Sequence, residues 1–154
     1  MPEISLQRTL PYSKKQLLDV ILSVEHYGEF VPYCERCDVR ERSERAGRDI
    51  MLAAMSVGVS IFSETFLSRV ISDREAGTIQ VTGVEGPLNA LSNRWVLTER
   101  DGHTHIDFFV SFEFKSRVLS MLASSRVESI CERILNAFIA RADALYGTSI
   151  AKTV

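Results

Sequence analysis

SRVLSMLASSRVESICERILNAFIARADALY, Ser116–Tyr146, is the stretch on which the fold turns. At about 100° per residue from Val127, Ile130, Cys131, Ile134, Leu135, Phe138, Ala142 and Leu145 gather in one arc, the apolar stripe of an amphipathic helix. Ser129, Glu132, Arg133, Asn136 and Asp143 occupy the opposite arc. Ser125 with Glu128 predicts a capping box, and Gly147 predicts a left-handed stop. Val118–Ala123 is expected as a turn or two of helix kinked against the main one near Ser124. Ser125–Tyr146 would span roughly 33 Å at ~1.5 Å per residue, so its apolar side needs a cover as wide as a small domain.

The cover lies upstream. His103–Phe114 alternates Ile106, Phe108, Val110, Phe112 and Phe114 against Asp107, Ser111 and Glu113, with Phe109 as the exception. Before it, similar runs occur at Cys37–Ser43, Arg48–Val57, Ser60–Ser72, Thr78–Glu85 and Ser92–Arg100. Ala46-Gly47, Val57-Gly58, Glu75-Ala76-Gly77 and Asp101-Gly102 separate them as turn signals, Asp101-Gly102 the strongest. Glu3–Leu10 alternates in the same way. Ser13 with Gln16 then caps a short helix whose buried stripe is Leu17, Leu18, Ile21 and Val24. His26–Phe30 adds one more turn, and Pro32 holds Val31 extended, which makes Tyr27–Tyr33 an aromatic elbow.

The predicted class is α+β: a seven-stranded curved antiparallel sheet wrapped around a long C-terminal helix, with one or two short helices after the first strand. Residues 1–147 are expected to form one domain and 148–154 a tail. A chain of 154 residues buries a core without disulfides, so the three cysteines are expected as reduced thiols. A net charge of −2 argues against a general nucleic-acid footprint, and no DNA partner is expected. The longest uncharged run, Met51–Ser63, is too short to cross a bilayer, and Met1–Leu10 does not read as a targeting signal. The expected location is the cytoplasm, with peripheral contact at a membrane surface as the alternative.

Catalytic and metal motifs are missing from the residues. Cys34-Glu35-Arg36-Cys37 is a lone CxxC entering a strand, without the second pair a zinc site needs. His103 and His105 share one face at a hairpin end and read as solvent-exposed histidines; His26 is unassigned. Arg141 lies at the edge of the helix's apolar arc, with Glu64 or Glu113 as conceivable partners. Arg40, Arg42, Arg45 and Arg48 cluster, but Glu41 and Glu44 interrupt them. No catalytic residue, metal site or cofactor is expected.

The order of elements resembles the helix-grip fold of the START-like superfamily, and four segments resemble its coenzyme Q-binding branch. That branch includes polyketide-cyclase-like and ribosome-association-toxin-like proteins. The segments are Phe30-Val31-Pro32-Tyr33-Cys34, Gly86–Trp95, Ile106–Ser116, and Ala137-Phe138 with Arg141. Leu88 stands where an aromatic is common, and Asn89 where a basic residue is common.

The resemblance implies a pocket between helix and sheet, closed by the Phe30–Tyr33 elbow and the Gly86–Leu91 loop. It would hold ubiquinone or another polyprenyl lipid as a ligand rather than a redox cofactor, for carriage or presentation to inner-membrane quinone enzymes. Candidate ligand-binding residues at the rim are Phe30, Pro32, Tyr33, Pro87 and Leu88. Those on the walls are Met55, Val81, Trp95, Phe108, Val110, Phe112, Leu122, Ile130 and Ile134, with Met51 and Leu97 as further apolar lining. Tyr33, Asn93 and Arg94 are candidates for orienting a quinone ring. The alternatives are a cyclase or aromatase using the same pocket, and an inhibitor that binds a ribosomal subunit.

Overall fold

Asp101 and Gly102 have φ of 54° and 79°, and Ala46 and Gly47 have 53° and 76°. Two successive left-handed residues give the backbone twist that two-residue hairpins need, so both turns form where the sequence placed them. The computed structural model describes residues 3–59, 62–117 and 126–147. Its strands are β1 (Glu3–Leu10), β2 (Cys34–Arg45), β3 (Arg48–Val59), β4 (Phe62–Asp73), β5 (Thr78–Glu85), β6 (Leu88–Arg100) and β7 (His103–Phe114). All pair antiparallel, in the order β1-β7-β6-β5-β4-β3-β2. The meander β2–β7 is thus extended by the first strand, which pairs with the last.

Register decides which side chains face the helix. Met51, Val70, Val81, Asn93, Val110 and Ile4 stand opposite one another across the sheet, and Ile79, Trp95, Phe108 and Leu6 form the neighbouring row. Phe109 belongs to the other face, opposite Arg94. Between β1 and β2 lie α1 (Lys14–Leu22), a 3₁₀ turn (Val24–His26) and α2 (Tyr27–Phe30). The capping box at α1 is formed: Gln16 N–H donates to Ser13 Oγ at 3.1 Å, and Ser13 N–H to Gln16 Oε1 at 3.0 Å.

The long helix, α3 (Val127–Ala142), buries Val127, Cys131, Leu135, Phe138 and Ala142 against the concave face. Phe138 is its central contact. Its ring lies edge-on to Trp95 at 5.2 Å, to Tyr27 at 5.3 Å and to Phe30 at 5.3 Å, and Trp95 meets Phe108 at 4.7 Å.

Several expectations are corrected. β3 runs through Val57-Gly58 instead of turning there. Gly58 pairs with Ser63 and donates its N–H to the Tyr33 carbonyl at 2.9 Å. A Cβ at Gly58 would lie 2.3 Å from Glu35 Oε1, so this glycine admits a neighbouring side chain and not a turn. β2 begins at Cys34 and β6 at Leu88, which reduces the Gly86–Leu91 loop to a tight turn at Gly86-Pro87. Arg126, and not Ser125, precedes the first residue of α3, and no side chain caps it. Ser125, like Val118–Ala123, lies outside the described residues.

At the other end, Gly147 is not left-handed. The helix loosens into a π turn, Asp143–Gly147, while Tyr12 Oη donates to Asp143. Leu145 is therefore 50% exposed, off the buried stripe. Ile130 and Ile134 are only half-buried. Phe138→Ala should cost ~3–5 kcal/mol, because it empties the site where helix, elbow and sheet meet. Denaturant unfolding checks this, and an unchanged midpoint would contradict the placement.

Candidate functional site

A helix laid across a curved sheet touches it fully only where side chains are large. Near the middle of β3 and β4 and toward the end of β5, Ala53, Ser68 and Gly83 stand opposite one another and are all small. Aromatic contacts hold α3 up at one side of that gap. A cavity of about 280 Å³ results. Its floor includes Met55, Phe66, Val70, Ile79, Val81, Trp95, Phe108 and Val110. Cys131, Ile134 and Phe138 of α3 roof it, and Ile21, Val24, Tyr27 and Val31 close the end beneath α1 and the elbow.

The lining is almost entirely hydrocarbon, and its polar side chains are mostly occupied. Tyr27 Oη donates to the Ile21 carbonyl, and burial pushes its ionisation far above the usual tyrosine range. Trp95 Nε1–H donates to Asn93 Oδ1 at 3.0 Å, and Asn93 Nδ2 donates to the Phe109 carbonyl at 2.9 Å. Cys37 and Cys131 also line the cavity. Burial raises their thiol pKa values to about 12 and about 11, so both are protonated at neutral pH. Cys34 is buried and shifted upward for the same reason, with Sγ 3.5 Å from the Arg36 carbonyl. A bulge between Cys34 and Arg36 is what lets both cysteines of the CxxC be buried. No group of three or more His, Cys, Asp or Glu among the described residues is placed to hold a metal ion.

Of the residues chosen from sequence, Met55, Val81, Leu88, Trp95, Phe108, Val110 and Ile134 line the cavity, as does Asn93. Others lie elsewhere. Phe30 packs outside it against Phe138, with the Arg141 guanidinium 5.0 Å above its ring, so Arg141 meets neither Glu64 nor Glu113. Tyr33 and Pro32 form the elbow. Tyr33 has φ of 68°, and its hydroxyl accepts from Arg133 Nη1 at 3.2 Å, which ties the elbow to α3. The Pro87 carbonyl accepts from Lys115 N–H at 3.1 Å. Phe112 is buried against Phe114 at 5.3 Å, away from the cavity, and Ile130 is half-buried outside the lining. Arg94 is exposed on the convex face, and Leu122 lies outside the described residues.

Sequence reasoning missed Tyr27, Val31, Phe66, Ser68, Val70 and Ile79. Phe66, Ser68 and Val70 alternate correctly, but only the pairing of β4 with β3 and β5 tells which alternate set faces inward.

Outside the cavity, a polar cleft of about 380 Å³ lies between α1 and β2–β4. Ion pairs already bridge it, Arg42 to Glu25 at 2.8 Å and Arg74 to Asp19 at 2.9 Å. His105 sits between Thr9 Oγ1 at 3.0 Å and Asp107 Oδ1 at 3.4 Å on the convex face, and His26 pairs with Glu29. Both histidines thus have carboxylate partners that the sequence reading did not assign. No helix among the described residues is long and apolar enough to cross a membrane.

Residues 10–139 match the protein family described as "Polyketide cyclase / dehydrase and lipid transport". The chain is 30% identical over 137 residues to the mitochondrial coenzyme Q-binding protein coq10 of Schizosaccharomyces pombe, covering 88% of this chain and 83% of that protein. It is 26% identical over 144 residues to the ribosome association toxin RatA of Rickettsia prowazekii, covering 90% and 96%. An 18 kDa protein of Caulobacter crescentus solved in solution superposes with a TM-score of 0.79 at 28% identity, covering 96% and 99%.

The buried thiols make a direct test of the packing. At pH 8 a neutral alkylating reagent should modify Cys34, Cys37 and Cys131 far more slowly than a free cysteine, with full modification only in denaturant. Mass spectrometry of a time course measures this, and rapid native labelling of Cys37 would show that the elbow side is open.

Proposed function

Because this chain belongs to the polyketide cyclase / dehydrase and lipid transport family, we propose that it binds a polyprenyl lipid such as ubiquinone in the cavity beneath α3. In this reading it carries or presents that lipid to membrane-bound quinone enzymes. The observation that carries the reading is the lining: hydrocarbon walls around about 280 Å³, in a chain similar to a coenzyme Q-binding protein along most of its length. The ligand's own chemistry stays with the ligand, and the protein supplies a dry site.

The cavity volume sets how much of a tail the site can bury. A dry cavity of about 150 Å³ admits one benzene, so about 280 Å³ has room for roughly two five-carbon units. Each unit buried is worth ~3–4 kcal/mol gross, at about 0.8 kcal/mol per carbon group. Two units give roughly 6–8 kcal/mol gross, which several kcal/mol of ordering cost reduce to roughly millimolar affinity, so contacts to the ring supply the remainder. A cyclase would need an acid or base beside the chain it folds. The described lining contains no carboxylate, histidine or lysine, so nothing in the cavity favours that alternative.

A second reading, contact with a ribosomal subunit, is favoured by the likeness to RatA and by a surface feature. Arg45, Arg48, Arg69 and Arg94 are exposed and have no carboxylate partner among the described residues, whereas Arg42 is held by Glu25. Co-sedimentation with ribosomal subunits that weakens steeply with salt would support it.

For the lipid reading, affinity in a prenyl-length series should rise over about the first two units and then level off, because further units stay in solvent. Val110→Trp, which fills the cavity from β7, should weaken tailed quinones about tenfold or more while changing the bare ring far less. Calorimetry beside Trp95 fluorescence provides the measurement. A flat series from a folded sample would transfer the weight to the ribosomal reading.

A further inference from the structure

We infer that Ser68 is the polar anchor of this cavity, its hydroxyl donating to one oxygen of the bound lipid so that the oxygen-bearing head lies at the β5–β6 end and the hydrocarbon runs toward α1. The inference rests on the lipid-binding reading and adds to it the orientation of the ligand and the residue that sets it.

The other polar side chains of the lining already have partners. Tyr27 is spent on Ile21, while Asn93 is held by Phe109 and Trp95. Ser68 has no hydrogen-bond partner among the described residues, although it sits in an otherwise apolar wall. Once a lipid covers this half-buried hydroxyl, it costs free energy unless the lipid accepts its proton. Cys37 and Cys131 do not replace it, because a protonated thiol is a weak donor.

Backbone register keeps the hydroxyl uncovered. Ser68 stands opposite Ala53 on one side and Gly83 on the other. A Cβ at Gly83 would come 3.0 Å from the Leu91 Cβ, so a side chain there would press on Leu91, which lines the cavity with Ser68.

Ser68 also marks one end of the site. It lines both the main cavity and a narrow cleft between the last residues of β5 and the first of β6. Regular β5–β6 pairing stops at Thr82–Ser92, and the cleft lies beyond it, lined by Gly83–Gly86 and Leu88–Leu91. Phe66, Leu88 and Leu91 are common to cavity and cleft, and form an apolar frame about the hydroxyl. From Ser68 the wall continues through Val70 to Ile79, and then to Ile21 and Val24 under α1, with no further free hydroxyl among the described residues. A ligand with one polar end therefore has a single favourable direction: oxygen at Ser68, tail inward.

The test compares two probes on three proteins. The probes are a benzoquinone bearing two prenyl units and the same tail on a benzene ring without oxygen. The proteins are wild type, Ser68→Ala and Ser68→Thr. Ser68→Ala should weaken the quinone about three- to tenfold, the value of one hydrogen bond, and leave the oxygen-free probe unchanged or slightly tighter. Ser68→Thr, which keeps a hydroxyl, should recover part of the loss. Binding of the oxygen-free probe reports that each variant is folded with its cavity intact. Equal effects on both probes, or an unchanged quinone affinity in Ser68→Ala, would overturn the anchor while leaving the cavity a lipid site. Failure of wild type to bind either probe would instead remove the lipid reading, and the anchor with it.

Discussion

The edge-to-face contact between Phe138 and Trp95, 5.2 Å between centroids, is the interaction on which the architecture depends. It joins the helix to the middle of the sheet, and through Tyr27 and Phe30 it also holds the elbow. Large rings at one spot do two things. They bury apolar area where three elements meet, and they set a distance between helix and sheet that smaller side chains nearby do not fill. The cavity follows from that mismatch: Ala53, Ser68 and Gly83 stand in register beside the aromatic pillar.

Polar satisfaction then shapes what the cavity accepts. Trp95, Asn93 and the Phe109 carbonyl form a closed chain of hydrogen bonds that removes an indole N–H and an amide from the lining. This explains how a β6 residue as polar as Asn93 sits on the concave face without creating a hydrophilic pocket. The thiols behave similarly, since burial holds Cys37 and Cys131 neutral. One fold can carry several functions, because function lies in the chemistry of a site and not in the scaffold. Here the concave side is apolar, while the convex side bears Arg69 and Arg94, exposed and without a carboxylate partner among the described residues.

Closure of the elbow rests on α3 as well. Arg133 reaches the Tyr33 hydroxyl and Arg141 covers Phe30, so two arginines on the helix hold both ends of a segment that includes a left-handed tyrosine. The Gly58 N–H bond to the Tyr33 carbonyl fixes that conformation from the sheet side.

Sequence alone determined the class of the fold, because its signals are local. Alternation in His103–Phe114, the Asp101-Gly102 and Ala46-Gly47 turns, the Ser13–Gln16 cap and the stripe through Cys131, Leu135 and Phe138 each depend only on neighbours along the chain. Half of the chosen site residues reached the cavity for the same reason: Val81, Trp95, Phe108 and Val110 alternate on strands whose inward face was plain. Tertiary structure decided the rest. The strand at Val57-Gly58 and the π turn at Asp143–Gly147 arise from Glu35 and Tyr12, partners distant in sequence. Whether Phe66, Ser68 and Val70 face the ligand or solvent depends on register with β3 and β5, since a shift of one residue reverses every side chain. An empty volume is likewise a property of facing surfaces, set by how far apart the aromatic contacts hold them, and no single segment encodes it.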